Sequence, residues 1–236
     1  MKIALIGYGA MGKLVRTLAE EKRLEIDVIV KDTGVDLPVE KLAERLKSAD
    51  VAIDFSAAGA VRRNVEACTL AGVPLVEGTT GWNAERDEIE KFVTENNGSM
   101  VFGANFSVGV NLFYKIADYT AALFAKFPEY ETFIEEQHHS QKKDAPSGTA
   151  LKLKDIVAEY IKRDFRVSST RAGNIPGTHR IGFDGLSDQI LLEHTARSRE
   201  GFAAGAILAA EWIVGKKGFF EFGDVMEEIL GGQNRR

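Results

Sequence analysis

The 236-residue sequence contains one cysteine, Cys68. A single thiol excludes an internal disulfide framework and suits a reducing compartment such as the cytoplasm. Cys68 itself reads as a small buried hydrophobe. No apolar run approaches the roughly 18 residues that a membrane-spanning helix needs. The opening MKIALIGYGAMGK has one lysine ahead of an apolar stretch that Gly7 and Gly9 interrupt, so it reads as a strand and turn of the mature fold. There is no excess of basic charge either. The 30 Lys and Arg residues stand against 35 Asp and Glu, a formal net charge of −5 with both signs interspersed. Nothing resembles the basic stripe of a nucleic-acid binder. An anionic ligand would therefore depend on a local cluster of donors.

What is present favours a packed enzyme-sized fold. Apolar residues make up 44% and charged residues 28% of the chain, enough apolar content for a core. The length suits one large domain or two modest ones. Lys2 to Ile6 is an apolar run that ends in Gly7-Tyr8-Gly9-Ala10-Met11-Gly12; a helical pattern follows through Leu14, Val15 and Leu18, then a second apolar run from Ile26 to Val30. This strand, glycine turn, helix and strand is the context of a dinucleotide-binding fingerprint. Gly7 permits the tight turn, Gly9 lets the backbone approach a pyrophosphate, and Gly12 lets the helix pack on the strand. The free amides of the helix start then face the phosphates. After the second strand come Lys31 and Asp32. Asp32 suits the ribose 2′-hydroxyl of NADH, and Lys31 the 2′-phosphate of NADPH, so either cofactor is expected.

Further strands are expected at Val51–Phe55, Val73–Val76 and Met100–Phe102, alternating with helices over Ala60–Ala71 and Asn83–Glu95. That alternation predicts a parallel sheet, with ligands at the carboxyl ends of its strands. Ser56, Gly78-Thr79-Thr80-Gly81 and Gly103-Ala104-Asn105-Phe106-Ser107 fall at those ends and read together as one cofactor wall.

The second half begins with an amphipathic stretch over Val110–Lys126. After Pro128 the pattern becomes alternating and leads into EEQHHSQKKDAPSGTA, residues 135–150. Here His138, His139 and Lys142 lie beside a Pro-Ser-Gly-Thr turn that opens another helix. The Gly148 and Thr149 amides are the first donors of that helix and suit a carboxylate. The histidines and the lysine offer positive charge and transferable protons. Adjacent histidines are poorly placed to chelate one ion, and neither a cysteine nor a spaced histidine completes a set, so no metal is expected. Gln189–Ala196 reads as a strand, Gly201–Val214 as a helix, and Phe219, Phe220 and Phe222 as an aromatic finish.

The run HHxxKxDAPSGTA, from His138 to Ala150, resembles the signature of the dihydrodipicolinate (4-hydroxy-tetrahydrodipicolinate) reductases. GYGAMG, Ile53-Asp54-Phe55-Ser56, GTTG, Ala104–Asn111, Arg171-Ala172-Gly173, His194-Thr195-Ala196, Arg199 and Phe202–Ala206 match in order, covering nearly the whole chain. The resemblance implies NADH- or NADPH-dependent reduction of a small cyclic dicarboxylate in lysine and diaminopimelate biosynthesis. It implies an α/β fold with a Rossmann-like domain over residues 1–107 and 199–236. A second α+β domain, 108–198, would carry an open mixed sheet for substrate binding and homotetramer assembly. By the same resemblance His138 is proton donor or acceptor, Lys142 is proton donor, and His139, Gly148 and Thr149 bind substrate. The cofactor falls to Gly7 through Gly12, Lys31, Asp32, Gly78, Thr79, Thr80, Gly103, Ala104, Asn105, Phe106 and Arg199. The alternatives are another small Rossmann reductase, such as a semialdehyde or homoserine dehydrogenase, and a module that senses NAD(P)H without turnover. The first kind lacks the HHxxKxDAPSGTA block, and the second has no need of its acid cluster.

Overall fold

The computed structural model describes residues 1–31 and 37–231. In chain order the first elements are β1 (Lys2–Ile6), α1 (Ala10–Glu21), β2 (Glu25–Val30), α2 (Val39–Leu46), β3 (Val51–Asp54), α3 (Val61–Ala71), β4 (Leu75–Glu77), α4 (Arg86–Glu95) and β5 (Ser99–Phe102). Next come α5 (Val108–Phe124), β6 (Glu131–His138), α6 (Gly148–Tyr160), β7 (Arg166–Arg171), β8 (Thr178–Asp184) and β9 (Gln189–Thr195). The chain ends with α7 (Glu200–Ile213), β10 (Gly218–Glu221) and α8 (Phe222–Ile229). Two compact units result, one of residues 1–108 and 199–236, the other of 109–198.

The first unit is a six-stranded parallel sheet in the order β10-β5-β4-β3-β1-β2. Strands buried on both faces read as continuous apolar runs. KIALI and VAID do so, with Ile3 to Ile6 and Val51 to Asp54 all buried. Helices α2, α3 and α4 cover one face through Leu42, Leu46, Val65 and Ile89; α1, α7 and α8 cover the other through Val15, Ala206, Ile207 and Val225. Strand order reverses between β1 and β3, which makes their carboxyl ends the place where an open α/β sheet binds ligands. Asn83–Glu95, expected as one helix, is a 3₁₀ turn over Asn83–Glu85 followed by α4. The aromatic finish proves to be the sixth strand and α8, with Phe219 stacked on Phe102 at 4.6 Å.

The second unit is a four-stranded mixed sheet, β7-β6-β8-β9, with β6 parallel to β7 and antiparallel to β8. Helices α5 and α6 cover one face, where Phe113, Ala117, Leu153 and Val157 pack on Ile134, Ile181 and Phe183. Strand β6 alternates strictly, burying Thr132, Ile134, Glu136 and His138. The inward positions thus change from apolar to ionisable along the strand, and that change builds the site.

Candidate active site

The cofactor elements lie at the strand-order reversal of the first unit. Gly7 adopts φ 85°, and a Cβ there would lie 2.4 Å from the Phe55 carbonyl oxygen at the end of β3. At Gly12 a Cβ would lie 2.2 Å from the Gly7 carbonyl oxygen, so this glycine closes α1 onto the turn. Gly9 faces open space and precedes α1 without a side-chain cap. A tight turn, a bare approach and an uncapped helix start are the cradle that a pyrophosphate requires, and these residues fit a dinucleotide. Lys31 places its ammonium 5.6 Å from the Tyr8 ring centroid, and the Tyr8 hydroxyl accepts from Arg16 Nη1 at 3.0 Å. Asp32, expected at the ribose, lies outside the described residues.

The loops after β3 and β4 are fastened to each other. Ser56 N donates to Thr79 Oγ1 at 3.0 Å, Thr79 N to Glu77 Oε1 at 2.6 Å, and Asn64 Nδ2 to Asp54 Oδ2 at 2.6 Å. Asp54 and Glu77 are fully buried. Burial raises the pKa of both carboxyls, and the charge of Asp54 pushes Glu77 further up. Asp54 Oδ1 and Glu77 Oε2 are buried without a donor of their own. A proton shared by the two carboxyls would satisfy both oxygens. In the loop after β5, Asn105 Oδ1 accepts from Ser107 N at 2.9 Å, while Ala104 is exposed. Phe106, expected at the cofactor, turns its ring into the core, 4.8 Å from Phe222, leaving only its backbone to face a ligand. Gly103 is also a packing glycine, with a Cβ position 3.0 Å from Phe222 Cβ. Arg199 is exposed at the start of α7. Gly205 explains the small residues of that helix, since a Cβ there would lie 1.7 Å from the Phe106 carbonyl oxygen.

In the second unit, strand register assembles the ionisable groups. Glu136 pairs with His179 across β6 and β8, and His138 pairs with Arg171 across β6 and β7. Period-2 alternation puts Glu136 and His138 on one face. Arg171 grips both Glu136 oxygens, Nη1 to Oε2 at 2.9 Å and Nη2 to Oε1 at 2.6 Å. Oε2 also contacts His138 Nδ1, and Oε1 accepts from Ser147 N at 3.3 Å. Burial alone would raise the Glu136 pKa, but hydrogen bonds from Arg171, Ser169 and His138 outweigh it and hold the carboxyl at about 2. Ser147 caps α6, its Oγ accepting from Ala150 N at 3.3 Å and meeting His179 Nε2 at 3.0 Å. The Gly148 and Thr149 amides thus lie in the first turn of a capped helix. The Thr149 side chain shares a hydrogen bond with the Tyr114 hydroxyl.

Charge at this site differs from the expectation. His138 was expected to be cationic, yet burial lowers its pKa in spite of Glu136, and His179 falls to about 4 for the same first reason. Both rings are neutral at neutral pH. Lys142 carries the positive charge, pairing with Asp144 at 2.8 Å in the loop after β6. His139 is half-buried at the head of that loop, its carbonyl accepting from Lys142 N at 3.1 Å. A spaced histidine does complete a donor set, contrary to the sequence reading, because Glu136, His138 and His179 have ligand atoms within 4.8 Å of one another. Arg171 and Ser147 already occupy the Glu136 oxygens, so the cluster is arranged as a hydrogen-bonded network.

Residues 1–106 match the family described as dihydrodipicolinate reductase, N-terminus, and residues 109–226 its C-terminus. The chain belongs to the dihydrodipicolinate reductase family. It is 33% identical to the 4-hydroxy-tetrahydrodipicolinate reductase of Christiangramia forsetii over 98% of this chain and 99% of that one. The corresponding enzyme of Archaeoglobus fulgidus is 36% identical over 96% of this chain and 100% of its own length. The fold resembles a dipicolinate-bound dihydrodipicolinate reductase from Paenisporosarcina sp. TG-14, with a TM-score of 0.78 at 22% identity over 94% of this chain and 97% of that one. An amine dehydrogenase from Mycobacterium smegmatis shares the fold at a TM-score of 0.60 and 10% identity, over 95% of each chain. With the family come its reaction class and cofactor: NAD(P)H-dependent reduction of 4-hydroxy-tetrahydrodipicolinate in lysine and diaminopimelate biosynthesis.

Of the residues that a dihydrodipicolinate reductase was expected to use on substrate, the second unit brings His138 and the Gly148–Thr149 start of α6 together through the Ser147 cap and keeps Lys142 and His139 on the adjoining loop. Sequence reasoning gave no role to Glu136, Arg171 or His179. The signal available for Glu136 was its i, i+2 spacing to His138 on an alternating strand. Arg171 and His179 arrive only through strand pairing.

Proposed function

We propose that substrate is held and protonated by the second unit, with Lys142 as proton donor and His138 as the neutral group that exchanges a proton at Nε2. The observation that carries this reading is the single carboxylate of Glu136, which touches both the His138 ring and the amide of Ser147 at the head of α6. His139 and the Gly148 and Thr149 amides grip the ring carboxylates, as a capped helix start does for anions. NAD(P)H, when bound, supplies the hydride. Its pyrophosphate is held at Gly7 to Gly12, and its remaining contacts are made by Lys31, Asp32, Gly78 to Thr80, Gly103 to Phe106 through the backbone, and Arg199. The substrate's 4-hydroxyl leaves as water, forming a ring double bond; reduction then puts one hydride on a ring carbon and one proton on its conjugated partner, giving tetrahydrodipicolinate, and the Lys142 ammonium gives that proton, leaving a neutral amine to be recharged from solvent. Among the described residues no helix is long and apolar enough to cross a membrane, which accords with a cytoplasmic place of action. The assembly is a homotetramer built through the second unit.

The test is oxidation of NADH and NADPH by purified protein with 4-hydroxy-tetrahydrodipicolinate. Lys142→Ala should lower kcat by about 10²–10⁴-fold with cofactor affinity unchanged. His139→Ala should chiefly raise the substrate KM, because it removes binding common to substrate and transition state. If Lys142→Ala and His138→Ala both keep wild-type kcat, the loop is structural and the proton comes from elsewhere.

A further inference from the structure

Glu136 is fully buried, yet it stays ionised and has no vacant acceptor position toward the ring beside it. Its two oxygens receive Arg171 Nη2 and Ser147 N at Oε1, and Arg171 Nη1 and His138 Nδ1 at Oε2, with the Ser169 side chain as a further donor. A carboxylate is acceptor-only, so His138 must carry its proton on Nδ1 to complete this set. That leaves Nε2 as the bare nitrogen. Nε2 points to Gly177, where a Cβ would come within 3.1 Å and where φ is 133°, a conformation suited to glycine. The other ionisable groups facing the His138 ring are Arg171 from β7, His179 from β8 at 5.1 Å between ring centroids, and Lys142 from the following loop. None of these supplies an acceptor for Nδ1.

We propose that Glu136 is the positioning residue of the reductase site: clamped by Arg171, it fixes the proton of His138 on Nδ1 and ties that ring to the substrate-binding start of α6. This rests on the reading of His138 as a proton-exchanging group. The amide of a glutamine at the same place shows why charge matters here. Two donors, Arg171 Nη2 and Ser147 N, converge on Oε1, so the NH₂ of Glu136→Gln must turn to the Oε2 side. There it displaces Arg171 Nη1, which leaves Arg171 bonded only through Nη2, and faces His138 Nδ1, which can accept only by giving up its proton to Nε2. The substitution inverts the tautomer while changing the side chain's shape very little. Loss of the correct tautomer is a known way to remove catalysis without disturbing a fold.

The chain has only four histidines, so imidazole nitrogens can be assigned by NMR. In the intact protein at neutral pH, His138 Nε2 should give the signal of an unprotonated ring nitrogen, and in Glu136→Gln that of a protonated one. The Glu136→Asp variant, which keeps the charge, should restore the wild-type tautomer in part. For Glu136→Gln, kcat should fall at least tenfold with the KM for NADH little changed and the pH profile of kcat shifted, while the melting temperature drops because Arg171 loses its anionic partner. In a His138→Ala background the same substitution should cost no further kcat. A wild-type His138 protonated on Nε2 overturns the proposal with no variant needed, as does an equal kcat loss in the His138→Ala background. An inverted tautomer with wild-type kcat leaves the geometry standing and overturns the proton-exchanging role of His138 on which it rests.

Discussion

Lys31 and the buried histidines show how single residues set both preference and pH response. Lys31 sits over Tyr8 beside the glycine turn, where its charge can meet a 2′-phosphate. Lys31→Ala should raise the KM for NADPH at least several-fold and leave that for NADH unchanged; equal losses with both cofactors would remove Lys31 from the ribose. His179 acts on stability. Its folded pKa is about 4 against the ordinary 6.5 of an imidazole, because burial disfavours the cation. Below 6.5 the unfolded chain binds a proton that the folded chain refuses, so stability falls as pH drops from about 6.5 to about 4. His138 is lowered by burial too and adds to the same slope. Thermal melts across this window should show a falling midpoint that His179→Gln flattens; an unchanged slope would mean that His179 is protonated in the fold. These burial effects were not legible in the sequence. HHxxK reads as a cationic cluster, and only the packing of α6 on β6 and β8 makes its first histidine neutral.

At the scale of elements, what could be read depended on pattern contrast. KIALI with its glycine turn and the alternation of β6 each show a period that a sequence displays directly. Strand β7 (RVSSTR) does not, because it is a largely exposed edge strand with no apolar face to alternate. Strand β8 opens with buried Thr178 and His179, whose polarity conceals its inward face. The site needs both strands, so the roles of Arg171 and His179 emerge only where register places them opposite His138 and Glu136. The joint between the β3 and β4 loops belongs to this scale as well. Asp54 and Glu77 have raised pKa values, so the stability that a proton shared by them would provide is present at low pH and is lost as pH rises through those folded values. Glu77→Gln keeps an oxygen for Thr79 N and offers Asp54 a permanent N–H donor. Under alkaline conditions the variant should melt about 2–4 °C above the wild type, the equivalent of about 1 kcal/mol in a chain this long. A variant that melts lower at every pH would show that no proton is shared.

The whole molecule carries apolar surface that one copy leaves uncovered. Strand β9 is the edge of the second sheet and exposes Ile190 at 44% and Leu191 at 46%. A long apolar edge strand invites pairing with another chain, and natural proteins rarely leave one bare. Helix α5 shows Leu112, Ile116, Tyr119 and Leu123 on its outer side, a second apolar surface in the same unit. Closed symmetric assemblies use self-complementary patches, and two distinct patches on one protomer suffice for a tetramer of dihedral symmetry. The proposed homotetramer therefore predicts a division of labour between them. Leu191→Glu should break the contact through the sheet and give dimers in sedimentation velocity at micromolar concentration, and Ile116→Glu should do the same if α5 supplies the second contact. Either substitution lies on exposed surface, so the melting temperature of the dissociated species should change only by the loss of assembly, and that loss should depend on protein concentration. A wild-type protein that sediments as a monomer at micromolar concentration would sink the assembly. A tetramer that survives both charges would move its interfaces to other surfaces.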